Sequence, residues 1–549
     1  MADLLSIGSS ALLAYSNALA TTSNNISNVN TPGYSRQRVE LQSRVGGFSG
    51  DGVVGTGVEQ VGIQRLFDQF VNARLYGDAS GVGREGIFST VAGRVDQLLS
   101  DPSTGLSGAL SNFFSAMDAV SASPADPAAR TALIGAANSL ADRFNQLSTQ
   151  FDSMEQEISS RLTQSVTDVN GMATKLADLN QRIALASAQN PGQQPNELLD
   201  QREQLITQLA GKVGVTTLAQ DDGSINVFVQ GHALVLGGTV NQLSVAPTPG
   251  DTRGRLDVYF GSGSSAIRLG TGLGGELGGL IDSRKGVLDP AEGDLGRLAV
   301  GISEQFNLLQ SQGIDLNGAA GTNFFASLSP HAQAYSSNTG TATITGSFAN
   351  VAQLTGHDYR IKYDGSNWTM TDGATGAAVT LTGAGTVGNP FVGDGLSFVV
   401  SGAAAAGDSF LMRSTSAAAG EMQVTISDPT KVAAAAIGSG ANSSDNTNAR
   451  AMAALRTGGV LNGGTTSFTG AYTSLVASSG STAQQAKFRS DAQSALQTSD
   501  LAQRDSVSGV NLDEEAANMV RFQQAYQAAA QIIATANTAF NSLLSALRG

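Results

Sequence analysis

The chain has 549 residues, 41% of them hydrophobic and none of them cysteine, so it can bury several cores but can build neither a disulfide framework nor a thiolate metal site. Its net charge of −14 and pI near 4.7 disfavour nucleic acid and anionic lipid, and His232, His331 and His357 stand singly, which argues against a histidine-rich metal or catalytic cluster. No run of ~18 uninterrupted apolar residues predicts a membrane span, and the N-terminus lacks the basic-then-apolar layout of a cleavable secretion signal.

Residues from about Asp3 to Val29 read as one amphipathic helix. Leu5, Leu12, Leu19 and Ile26 recur every seventh residue, with Gly8, Tyr15, Thr22 and Val29 at the companion positions. Such a repeat keeps one seam turned to a partner helix. Asn30-Thr31-Pro32-Gly33 stops it, because proline disfavours helix in the residue before it and Pro-Gly suits a turn. Arg36, Arg38 and Arg44 follow, read as a solvated strand face or as salt bridges to neighbouring subunits rather than an anion site.

A long helical tract is expected from about Pro127 to Ala188, on the stripe Phe144, Leu147, Phe151, Met154, Ile158, Leu162, Val169, Met172, Leu176, Leu179 and Ile183. Asn190-Pro191-Gly192 closes it, and Asn196 to Leu209 reads as a second helix. From Val215 to Phe260 the pattern is strand-like, with Ile225 to Val229 the clearest case. Helix returns from about Glu276 to Gln312. Ala334 to about Ser427 is rich in Gly, Thr and Ala with short β-prone runs; Tyr359 to Tyr363 and Trp368 to Met370 read as a hairpin around Asp364-Gly365. Helix resumes near Ala483 and continues to the end with a break around Gly509. The last helix carries a strict heptad stripe of Leu512, Met519, Tyr526, Ile533, Phe540 and Leu547, with Phe522, Ala529, Ala536 and Leu543 on the same side. Asn511 is its expected N-cap, and Glu514 three residues later suggests a capping box.

The fold class is therefore α+β and multidomain: helical termini with coiled-coil patterning, a helical core and β-rich insertions. The expected divisions are 1–34 with 509–549 for the terminal helices, 35–330 with 428–508 for a helical core holding a β subdomain near 213–262, and 331–427 for an inserted β domain. The seams call for either an intramolecular bundle or contacts with neighbouring copies.

Little in the chain suggests catalysis. Gly50, Gly52 and Gly55 match G-x-G-x-x-G without a following helix. Gly270, Gly272 and Gly275 match it before a helix, but no second strand completes a βαβ unit, so a tight strand-to-helix turn is expected. Asp315-Leu316-Asn317-Gly318 lacks the full ligand series of a calcium loop and reads as a turn. Trp368 reads as a packing residue rather than a ligand platform. No catalytic, cofactor or metal residue is nominated.

Three segments carry a resemblance. Asn24-Asn25-Ile26-Ser27-Asn28-Val29-Asn30-Thr31-Pro32-Gly33-Tyr34 resembles the N-terminal signature of the flagellar axial family of rod, hook and hook-associated proteins, with Asn24, Asn25, Asn28, Asn30, Pro32, Gly33 and Tyr34 as its motif residues. Gly509 to Glu515 with Arg521 to Ala528 resembles the hook-associated branch, and so does Gly274 to Leu280 through Leu288-Asp289-Pro290 to Gly318. Over Ala334 to Ser427 nothing is carried over.

The resemblance implies a structural adaptor at the hook–filament junction, needed for filament assembly and motility and not an enzyme. It implies export without a cleaved signal through the flagellar type III channel and an extracellular location on the flagellum. Expected partners are further copies in a ring or short stack, the hook protein, a second junction protein and an export chaperone on the C-terminal helix, with no nucleic acid, membrane or cofactor. The expected assembly residues are Leu5, Leu12, Leu19 and Ile26, facing Leu512, Met519, Tyr526, Ile533, Phe540 and Leu547. The alternatives are a hook or rod subunit, or an adhesin acting through the inserted β domain.

Overall fold

The computed structural model describes residues 2–44, 48–49, 52–53, 55–190, 192–251 and 253–548. Helix α1 (Ala2–Ser27) ends at the Asn-Thr-Pro-Gly turn, where Gly33 takes a φ of 83° that side chains disfavour. Strands Gln37–Ser43 and Val58–Arg65 then pair antiparallel and lie along α1, with Asn17 Nδ2 donating to Gln60 Oε1 at 2.5 Å. Gly50 of the first G-x-G-x-x-G match lies outside the described residues.

The helical body starts with α2 (Gln69–Ser100), α3 (Ser107–Ala122), α4 (Pro127–Gln189) and α5 (Asn196–Lys212). Asp68 caps α2 by accepting from the Phe70 and Val71 amides. Asp126 caps α4, whose first residue is Pro127, where a missing N–H loses no helical bond. The apolar stripe expected for α4 is buried except at Met172, which is half-buried. Of the turn expected after α4, Pro191 lies outside the described residues.

Two small antiparallel sheets follow. One is a four-stranded meander from Thr216–Ala219 to Thr239–Val240; the other orders Ile267–Arg268, Leu256–Phe260 and Leu243–Pro247. Helix α6 (Gly275–Ser283) passes through one π-helical segment, Arg284–Leu288, into α7 (Asp289–Ser311). The glycines leading into α6 make the expected tight turn: Gly272 and Gly275 of the motif, with Gly274 between them, have φ of 84°, 56° and 69°, and the Gly275 amide donates to Ser80 Oγ at 2.9 Å. Asp315 likewise serves a turn, its Oδ1 accepting from the Asn317 and Ala319 amides.

Residues 331–413 form a five-stranded and a three-stranded antiparallel sheet. The expected hairpin is there, with Tyr359–Tyr363 paired to Trp368–Asp372, and Trp368 packs its ring 5.1 Å from Tyr363 and 5.9 Å from Phe410. The chain then returns through α8 (Ala418–Glu421) and α9 (Thr447–Ala454) to α10 (Phe468–Ser508) and α11 (Leu512–Arg548). Helix α10 packs along α2, and α11 packs along α1.

Two interiors hold the body together. Phe113, Phe114, Phe306, Phe324, Phe325 and Phe468 bring α3, α7, α10 and the 324–325 segment into one aromatic cluster. A buried ionic network joins α4 and α7 to the second small sheet. In it Glu155 meets Arg284 at 2.6 Å and Arg255 at 3.3 Å, and Glu292 meets Arg253 at 2.8 Å.

Candidate assembly site: the paired terminal helices

Helices α1 and α11 run antiparallel. Gly8 lies against Ala529 and Ile533, the Tyr15 and Phe522 rings stack at 6.5 Å, and Asn25 meets Glu515. The buried positions of this module are Gly8, Ala14, Ala18, Thr21, Thr22 and Asn25 on α1, with Glu515, Ala529 and Ala536 on α11. Small residues dominate, so the two backbones approach closely. A Cβ on Gly8 would sit 2.7 Å from Ile533 Cγ1.

The residues expected to face one another are placed as follows. Leu5, Leu12, Leu19 and Ile26 are half-buried, as are Met519, Tyr526 and Ile533. Leu512 and Phe540 are exposed, and the Leu547 side chain lies outside the described residues. The most deeply covered positions are small or polar residues on both helices, Gly8 and Thr22 with Ala14, Ala18, Thr21 and Asn25 on α1, and Ala529 and Ala536 with Glu515 on α11; the leucine stripe borders them.

Helix α11 outruns its partner. From the Gly8–Ile533 contact, α1 has only a few residues left before its start, whereas α11 continues to Arg548. About nine residues, or ~14 Å of helix, extend beyond α1. On that overhang the seam face continues through Phe540, Leu543 and Leu544, which are 47%, 52% and 39% exposed. A length of α1, Leu4–Ser27, is long and apolar enough to cross a membrane by length and composition, with a mean hydropathy of 1.2. Its inward face of Ala, Thr and Asn is packed against α11 and the hairpin.

At the other end the helix pair closes in a polar clasp. Asn25, 1% exposed, uses all four valences of its carboxamide. Oδ1 accepts from the Gln37 amide at 3.0 Å and from the Tyr34 hydroxyl at 2.7 Å; Nδ2 donates to Gln37 O at 2.9 Å and to Glu515 Oε2 at 3.1 Å. Glu515 is 2% exposed and also accepts from Arg36 Nε at 2.8 Å, while Arg36 holds Glu514 with its two terminal nitrogens. Burial, with Asp200 and Glu515 nearby, pushes the Tyr34 phenol well above its usual range and keeps it a donor. The Arg36 side-chain hydrogen bond holds the Glu514 carboxyl below its usual value. Asn511 caps α11 as expected, accepting from the Asp513 and Glu514 amides, but the Glu514 side chain turns to Arg36 instead of closing a capping box.

The clasp explains the motif residues physically. Asn28 Nδ2 donates to Asn24 Oδ1 and O, closing the last turn of α1. Asn30 and Pro32 are exposed in the turn. The clasp is tied to the body by the Ser35 amide on Asp200, the Arg36 amide on Ser508 O, and Arg65 on Asp200 and Glu203. The turn and the α10–α11 joint line a cleft of about 850 Å³. Arg36 was legible as a charge but not as the partner of Glu514 and Glu515; the acids at the start of α11 were the available signal. Arg38 and Arg44 are exposed. Among the described residues, no group of three or more His, Asp or Glu is arranged to hold a metal ion.

Comparison with known proteins places this architecture. Residues 5–34 match the family described as flagella basal body rod protein, and 502–546 match flagellar basal body rod FlgEFG protein C-terminal. Residues 92–325 match the flagellar hook-associated protein FlgK helical domain, and 333–414 the flagellar hook-associated protein 1, D2-like domain. Flagellar hook-associated protein 1 of Salmonella typhimurium is 33% identical over 554 residues, covering 99% of this chain and 100% of the relative. The chain belongs to the flagellar hook-associated protein 1 family. The Escherichia coli K12 member is 34% identical over 549 residues, covering 99% of this chain and 100% of the relative. The flagellar hook junction protein FlgK from Burkholderia pseudomallei has a solved structure that matches with a TM-score of 0.72 at 26% identity, over 80% of this chain and 100% of that one. The role of this family member is structural, in the bacterial flagellum at the hook–filament junction, among the other axial proteins.

Proposed function

We propose that the chain is an adaptor whose terminal helix pair docks copies of itself into a ring or short helical stack on the end of the hook. The observation that carries this reading is the α11 overhang, where Phe540, Leu543 and Leu544 continue an apolar seam with no α1 beside it. An unpaired heptad face of this kind stabilises a helix only when another helix covers it. The half-buried stripe of Leu5, Leu12, Leu19, Ile26, Met519, Tyr526 and Ile533 borders the seam and offers further contact to neighbours, with Leu512 and Leu547 at its ends.

On this reading the hook protein lies on one side of the ring and a second junction protein on the other. Residues 331–427 act as an outward module rather than as part of the docking surface. The chain reaches the flagellum through the type III export channel with its terminal helices unpaired, and an export chaperone covers the α11 seam beforehand. Catalysis plays no part. The terminal, core and inserted divisions given above are the functional units.

The test is the double variant Phe540→Asp, Leu544→Asp. Both side chains lie on the overhang, so the clasp and the body should keep their fold, read by circular dichroism and resistance of the body to protease. The variant should fail to attach to isolated hooks and leave cells non-motile. Normal attachment would refute the docking role of the overhang. Deleting 334–427 separates the adhesin alternative: lost adhesion with motility retained would favour that reading.

A further inference from the structure

The apolar contacts between α1 and α11 do not by themselves fix how far one helix slides along the other. Gly8, Ala18, Ala529 and Ala536 are small, and the α11 positions repeat at seven-residue spacing through Phe522, Ala529 and Ala536. A slide of one heptad, ~10.5 Å, therefore returns similar surfaces to each other. Covalent continuity does not prevent it either. The segment from Asn28 to Ser35 can extend to about 26 Å, well beyond one heptad of travel.

We propose that Asn25 is the positioning residue that sets the register of α1 on α11, and with it the length of apolar overhang offered to neighbouring copies. Sliding α1 one heptad toward the end of α11 would bring Asn25 against Phe522; sliding it the other way would bring Ala18 against Glu515. Either move takes the Asn25 carboxamide away from Gln37 and Glu515, while Glu515 keeps Arg36, and a buried carboxamide without these partners costs more than an apolar mismatch. In the observed register every polar valence of Asn25 is used, and its partners come from the turn, the first strand and a residue 490 positions away. A single buried asparagine in an apolar seam is a known physical means of selecting one register among near-equals. The consequence for docking rests on the assembly reading above; the register itself does not.

The chain has no cysteine, so introduced pairs report register without background. Gly8→Cys with Ile533→Cys reports the observed register, since a Cβ on Gly8 falls within disulfide reach of residue 533. Gly8→Cys with Phe540→Cys reports the register slid by one heptad. In the otherwise native full chain the first pair should close and the second only in trace. In an Asn25→Leu background, where an apolar side chain still fills the seam, slid product should rise about tenfold relative to native product, the shift that loss of a ~1.4 kcal/mol preference gives. Two results overturn the proposal. One is an unchanged ratio in the Asn25→Leu chain. The other is loss of both products together with trypsin trimming of the ends, which would make Asn25 a residue of stability alone. Attachment to isolated hooks is measured in parallel: a register shift with normal attachment would keep the pin and overturn the docking reading instead.

Discussion

Glu515→Ala isolates the ionic half of the clasp. The side chain is 2% exposed and receives three donors: Arg36 Nε at 2.8 Å, another Arg36 nitrogen at 2.7 Å, and Asn25 Nδ2 at 3.1 Å. Removing one member of a fully buried charge pair costs about 3–5 kcal/mol, because the other is stranded. Here neither partner is stranded. Arg36 keeps two bonds to Glu514, and Asn25 Nδ2 keeps Gln37 O. The loss is then nearer that of one hydrogen bond to a charged group, about 2 kcal/mol. It acts on local opening of the terminal module, since the body has its own aromatic and ionic cores. Amide hydrogen exchange should accelerate about 30-fold in α1 and in the first turns of α11, with α4 and α7 unchanged. Exchange in α1 within twofold of the parent would refute the clasp as the module's anchor, and equal acceleration in α4 would refute its independence from the body.

Acid should loosen the same module: the Glu514 carboxyl is held below its usual value by Arg36, so its contribution is present above the usual carboxylate range and fades as pH falls, read as faster α1 exchange at low pH. Asp78 behaves oppositely. On α2 it faces Asp500 of α10, its Oδ2 has no donor, Gln493 and Arg74 are its other polar neighbours, and burial followed by Asp500 raises its pKa. Its stabilising protonated form is complete below the ordinary aspartate range and is lost as pH rises through the raised value, so Asp78→Asn should slow α2–α10 exchange at neutral pH by the equivalent of about 1 kcal/mol and flatten its pH dependence. Gly296→Ala should destabilise the joint between α7 and the 331–413 sheets by about 2–3 kcal/mol, visible as protease nicking near Thr415, because a Cβ there would run into Thr415 O. The ~1 kcal/mol of helix propensity gained by removing glycine does not offset it.

The sequence made α1, α4, α5 and α11 readable because each carries an unbroken apolar period and a capping or stop signal of its own. Helices α2 and α3 were not readable, and α10 was expected to begin near Ala483 rather than at Phe468. For α2 the reason lies in its glycines. Gly77, Gly81, Gly83, Gly86 and Gly93 lower the intrinsic helicity of α2, yet it lies in contact with α5, α6 and α10. A Cβ on Gly81 would meet Gln493 of α10, and one on Gly83 would meet the Gly211 carbonyl of α5. At Gly81 and Gly83 tertiary packing leaves little room for a side chain, so local pattern misleads. The clasp was hidden differently. Asn25 sits in a polar-looking run, and nothing local says that its partner is Glu515; the pairing exists only once both ends of the chain meet.

The division between a small-residue seam inside the chain and bulky residues beyond it has an energetic consequence for assembly. Covering the exposed parts of Phe540, Leu543 and Leu544 would contribute roughly 1–1.5 kcal/mol each, or about 4 kcal/mol for one overhang on one neighbour. Before the entropy of association is subtracted, that corresponds to a dissociation constant no tighter than about millimolar. One such contact cannot hold two free copies together. Under the proposed adaptor role, a copy that touches the hook end and a neighbour on each side would make several contacts at once, and linked weak contacts would multiply into a stable ring. The chain should therefore sediment as a monomer at micromolar concentration and still assemble on hooks. A dimer at micromolar concentration, abolished by Phe540→Asp, would show that one overhang binds far more strongly than its apolar area allows and would refute this account of why copies wait for the hook.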